Sequence, residues 1–66
     1  MTFIITIHLV GGGAATVKED APSTQSLEVQ ILREFNAPDS RLRVQTSRSV
    51  IDVRKDAVVG WTIDEP

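Results

Sequence analysis

The chain has 66 residues, with seven Lys and Arg against nine Asp and Glu, one His, and neither Cys nor Tyr. Such a length holds one domain, spanning 1–66, which buries only roughly 60% of the surface of its unfolded chain, and the lack of Cys excludes disulfides, thiolate zinc sites and cysteine nucleophiles together. A formal net charge of −2 and a pI near 5.1 argue against a protein that coats nucleic acid generally, while leaving room for a local basic patch.

Residues 2–10 put Phe3, Ile5, Ile7 and Leu9 on one side and Ile4, Thr6, His8 and Val10 on the other, the pattern of a strand apolar on both faces. The run is too short to span a bilayer and has no basic flank or small-residue cleavage site, so neither a membrane span nor a signal peptide is expected. Gly11, Gly12 and Gly13 follow at once. Three residues free to adopt positive φ between two alternating runs suggest a hairpin, with Leu9 facing Ala15 and Ile7 facing Val17. The competing use of a glycine run, cradling an anion, needs a helix directly after it or the Lys-Ser/Thr of a P-loop, and this chain has neither.

The second strand closes on Lys18-Glu19-Asp20-Ala21-Pro22, and the next segment has two readings. As a helix from about 24 or 26 to 35, it aligns Leu27, Ile31 and Phe35, with Leu32 widening the stripe and Val29 at its edge. Ser23, Thr24 and Ser26 are usable N-caps, Glu28 suits the positive end of the dipole, and Asn36-Ala37-Pro38 ends the helix. As a strand, 27–31 alternates too, but Leu32, Arg33 and Glu34 break the period. The first reading leads to an α+β fold, a small antiparallel-rich sheet of about five strands in the order β-β-α-β-β-β against one short helix. The alternative is a small all-β barrel.

Three further strands follow, at 42–46, 49–53 and 57–63. A two-residue loop at Ser47-Arg48 pairs Val44 with Ile51, Leu42 with Val53 and Arg43 with Asp52, so that apolar meets apolar and charge meets opposite charge. A three-residue loop at Arg54-Lys55-Asp56 then pairs Val53 with Ala57 and Ile51 with Val59, which sends Val59, Trp61 and Ile63 to the inner face. The order of elements and the run Val-Ile-Asp-Val-Arg-Lys-Asp-Ala-Val-Val-Gly-Trp-Thr-Ile at 50–63 resemble small uncharacterised proteins of actinobacteria and their phages. This is a likeness of pattern, without a catalytic motif, and it implies a fold rather than an activity.

Charge is unevenly spread. Segment 18–39 carries a net −3, segment 40–55 a net +4 and segment 56–66 a net −3. Arg41, Arg43, Arg48, Arg54 and Lys55 form the basic concentration, a candidate site for phosphates, an acidic protein, nucleic acid or a nucleotide, or else a solvated face partly neutralised by Asp52. Readers of single strands usually add exposed aromatics, whereas Phe3, Phe35 and Trp61 all fall on the inner side. Ile4, Val10, Val50 and Val58 fall on the outer face, where they would form an apolar patch that a second copy, a protein partner or a flanking loop could cover.

His8, the only histidine, points away from the helix and reads as a surface residue; no nucleophile, base and orienting group stand together, and no cofactor or metal motif is visible. The expectation is therefore a cytoplasmic, non-enzymatic interaction module that forms homo-oligomers and binds a protein partner, with a regulatory binder of an anionic ligand as the alternative. A phage-encoded accessory or inhibitor protein is one version of the first.

Overall fold

The computed structural model describes residues 1–47 and 49–66. Among them run β1 (Thr2–Leu9), β2 (Ala14–Asp20), the helix α1 (Thr24–Asn36), β3 (Arg41–Gln45), β4 (Val50–Arg54), a single 3-10 turn (Lys55–Ala57) and β5 (Val58–Asp64). The fold is α+β in the expected order, and it is not a closed barrel. Its strands form two antiparallel sheets, one of three strands in the order β2-β1-β5 and one a ribbon of β3 and β4.

β1 lies at the centre of the larger sheet, and Phe3, Ile5 and Ile7 on its inner face are buried. The hairpin to β2 pairs Ile7 with Ala15 and Ile5 with Val17, two residues away from the expected register. A shift of two preserves the faces and lengthens the turn, which closes with the Leu9 N–H donating to the Gly13 carbonyl at 2.8 Å. Gly11 and Gly12 both have φ of +86°, the left-handed region that costs other residues a steric penalty. Gly13 has no positive φ, so two of the three glycines are explained by the turn itself.

Helix α1 starts where Ser23 is extended and its Oγ accepts from the Ser26 N–H at 3.3 Å, while the Ser26 hydroxyl donates back to the Ser23 carbonyl at 2.8 Å. It stops at Asn36 because Ala37, the residue before Pro38, is held extended. No acidic side chain stands in its first turn; Glu28 lies further in. Leu27 and Ile31 are buried and Phe35 packs against the core, with its ring 5.6 Å from that of Trp61. Leu32, expected to widen the buried stripe, is instead 40% exposed, and Val29 is 49% exposed. A helix lying over a small sheet buries a narrow stripe, and both residues fall beyond its edge.

The ribbon has the expected register, with Val44 opposite Ile51, Leu42 opposite Val53 and Arg43 opposite Asp52. Buried Thr46 closes it, accepting from the Ser49 N–H at 3.0 Å on Oγ1 and donating its own N–H to the Ser49 carbonyl at 2.8 Å. Leu42, Val44 and Ile51 face the same core as Phe3, Ile5, Ile7, Val17, Leu27 and Ile31. Burial of each such side chain contributes about 1.5–3 kcal/mol relative to exposure.

The last strand departs from the expected meander. The 3-10 turn redirects the chain, the Val10 N–H donates to the Ala57 carbonyl at 2.8 Å, and β5 pairs with β1 rather than β4. Ile7 opposes Trp61, Thr6 opposes Thr62 and Ile5 opposes Ile63, whereas Leu9 opposes Val58, so that Val59 is the extra residue of a bulge. This one-residue slip reverses the parity on either side of it. Val58, expected outside, packs against the core, and Val59, expected inside, is 71% exposed. Trp61 and Ile63 keep their inward direction because the expected loop and the bulge each preserve it.

Candidate functional site

Alternation along β3 and β4 sends Arg41, Arg43, Gln45, Val50, Asp52 and Arg54 to the outer face of the ribbon, all of them exposed. Arg41 and Arg54 stand directly opposite one another, a like-charge pair that the carboxylates around them relieve. Arg41 Nε donates to Asp52 Oδ1 at 2.7 Å, and its Nη2 reaches the Asp52 carbonyl at 3.3 Å. Arg54 Nη2 donates to Asp56 Oδ2 at 2.9 Å. Both pairs are open to water, where such contacts are worth about 0–1 kcal/mol, so either guanidinium can exchange its carboxylate for that of a partner. Arg43, although opposite Asp52, makes no ion pair among the described residues.

Lys55 has a different role from the arginines. Its Nζ donates to the Ala37 carbonyl just past the end of α1 and lies 6.0 Å from the centre of the Phe35 ring, while its backbone N–H donates to the Ser40 carbonyl at 2.9 Å. It ties the 3-10 turn to the helix. An open depression lined by Ser40, Arg41, Arg54, Lys55 and Asp56 lies beside it. Arg48, the remaining member of the basic set, lies outside the described residues. The face that emerges presents Arg41 and Arg54 at one end, Arg43 and Asp52 in the middle, and Gln45 and Val50, the latter 47% exposed, at the other.

The four apolar candidates are spread over the molecule. Ile4 is half-buried on the outer face of the three-stranded sheet, between Lys18 and Asp64. Val10 is 67% exposed in the glycine turn, Val50 belongs to the ribbon and Val58 packs inward. The neighbours of Ile4 on that outer face are polar, Thr16 and Thr62 flanking Thr6, with His8 Nε2 at 3.4 Å from Thr62 Oγ1. Among the described residues no three His, Asp and Glu side chains gather into a metal-holding group, and no helix is long and apolar enough to cross a membrane.

Parity arguments missed one feature, the outer edge of β5. β5 pairs on one side only. A narrow groove between that strand and α1 is lined by Thr24, Glu28, Trp61 and Ile63. The sequence signal was the glycine in Val58-Val59-Gly60, since an isolated glycine within a strand pattern often marks a bulge.

Compared with family models, curated proteins and solved structures, the chain matches none.

Proposed function

We propose that this protein is a non-enzymatic interaction module that self-associates and docks a protein partner through the outer face of the β3–β4 ribbon. The observation that carries the reading is the makeup of that face, on which Arg43 stands diagonal to a half-exposed Val50 and Arg41 stands opposite Arg54 at the far end of the ribbon, in a chain of net charge −2. Arginine beside an apolar residue suits a protein interface, because its planar guanidinium is weakly hydrated and binds carboxylates with two parallel hydrogen bonds. An acidic surface is the partner that matches. A phage-encoded accessory or inhibitor protein in the cytoplasm is one form of this reading, supported by small size and by the pattern resemblance of 50–63.

A second reading, a regulatory binder of nucleic acid or a nucleotide, is favoured by the depression where Arg41, Arg54 and Lys55 meet. The two separate in one experiment, an NMR titration of the labelled protein with polyglutamate and, in parallel, with a thymidine oligonucleotide. The first reading expects shifts at Arg41, Arg43, Val50 and Arg54 with polyglutamate at lower concentration than with the oligonucleotide. The second expects the reverse order and a steep loss with salt. Silence of the ribbon with both probes would overturn both readings.

A further inference from the structure

The direction of each backbone group along β5 follows from two hydrogen bonds. Leu9 N–H donates toward β2, to Gly13, and Val10 N–H donates toward β5, to Ala57. Even-numbered residues of β1 therefore turn their amides to β5, and their partners Gly60, Thr62 and Asp64 turn back to β1. Trp61 and Ile63 are left with their N–H and C=O groups on the open side. Among the described residues none of the backbone hydrogen bonds outside the regular elements involves either residue. The side chains along this edge, from Val58 to Ile63, carry no charge, whereas β2 ends in Lys18, Glu19 and Asp20 and the ribbon carries its arginines. Charges are the usual protection of a sheet edge, and β5 carries only Asp64, at its last position.

The helix adds a second surface on the same side. Glu28 lines the groove beside Trp61 and Ile63, and Leu32 stands one turn further along the same stripe, with Val29 three residues before Leu32. The exposed Leu32 thus lies on the flank of α1 that faces the open edge, whereas Val29, nearly opposite the buried stripe, points away from the sheet.

We propose that two copies of this chain join through β5, antiparallel about a two-fold axis at Thr62, into one six-stranded sheet with the α1 flanks meeting above the seam. The proposal rests on the self-association part of the reading above and names its surface. In this register Trp61 pairs with Ile63 of the second copy, and Ile63 with Trp61, which forms four backbone hydrogen bonds from groups that now have no strand to pair with. Thr62 faces Thr62, and Gly60 faces Asp64, so no two like charges stand opposite each other. Above the strands, Leu32 meets its counterpart. Seven residues of β5 are about 23 Å long, and an edge of that length about 10 Å deep presents a few hundred Å², below the ~800 Å² per partner of a standard interface. The dimer is accordingly weak, half-dissociated at about 10–100 µM.

The test is sedimentation equilibrium from about 5 µM to 1 mM on the wild type and on Leu32→Lys and Thr62→Lys, both exposed positions and the second facing itself across the axis, with amide exchange at Trp61 and Ile63 at both concentration limits. The expected result is a mass that climbs from 7.2 kDa toward twice that value, protection of the two amides that rises with it, and at least a tenfold weaker association in each variant. Association that is unchanged in both variants, with exchange at Trp61 and Ile63 independent of concentration, would overturn the β5 seam and leave self-association standing. A mass fixed at 7.2 kDa at 1 mM would remove both.

Discussion

Lys55 illustrates how a residue that reads as part of a charged patch can belong to the framework instead. Its ammonium satisfies the Ala37 carbonyl and lies beside the Phe35 ring, in a half-buried position where a hydrogen bond from a charged donor contributes about 1.5–3 kcal/mol. Lys55→Ala is expected to lower unfolding free energy by about 2 kcal/mol in urea denaturation, and Arg43→Ala, at an exposed position, to change it by less than about 0.5 kcal/mol. Equal effects would mean that Lys55 is as solvated as the arginines. The glycine turn separates in the same way. Gly11→Ala and Gly12→Ala force an L-residue to a φ of +86° and should each cost about 1–2 kcal/mol. Gly13→Ala, which would place a Cβ 3.8 Å from that of Leu9 in ordinary contact, should cost much less.

Among the elements, legibility followed the locality of the constraint. The ribbon register could be read directly, because Leu42, Val44, Ile51 and Val53 must share a face and a two-residue loop is the shortest connection that places them there. The helix could be read from Leu27, Ile31 and Phe35 and from its Ser23 cap. The β1–β2 hairpin was right in parity and two residues off in register, since a pattern of period two cannot distinguish shifts of two. The partner of β5 was not legible at all. Trp61 and Ile63 satisfy an apolar face equally well beside Ile7 and Ile5 as beside β4, and what decides between them is the 3-10 turn at Lys55–Ala57, which has no side-chain pattern of its own. The bulge then exchanged Val58 and Val59. Of the candidate site, the arginine face was therefore visible in the sequence, and the apolar patch and the β5 edge were not.

That exchange gives a test at the same scale. Val58→Asp places a carboxylate against the core and should destabilise the fold by more than about 2 kcal/mol, while Val59→Asp should leave thermal stability nearly unchanged. The opposite ranking, in a pair of melting curves, would restore the uninterrupted alternation and remove the bulge.

At the scale of the whole molecule, 66 residues supply one shared core with no covalent staple, and stability is expected to be modest. Two features of the surface are unlike the rest, a ribbon face that concentrates arginine in an acidic chain and a sheet edge that is uncharged up to its final Asp64. Each is an ordinary liability for an isolated domain and an ordinary asset for one that works in association, which is the reason to read the protein as an interaction module.

The measurement that bears most directly on that claim is native mass spectrometry of the protein isolated from its own host at low ionic strength, beside the Arg43→Glu variant. The account expects species heavier than 7.2 kDa that include a bound acidic protein, with that partner lost from the variant and lost on raising the salt. A wild type found only at 7.2 kDa, or a bound acidic protein that survives both the substitution and the salt unchanged, would contradict it.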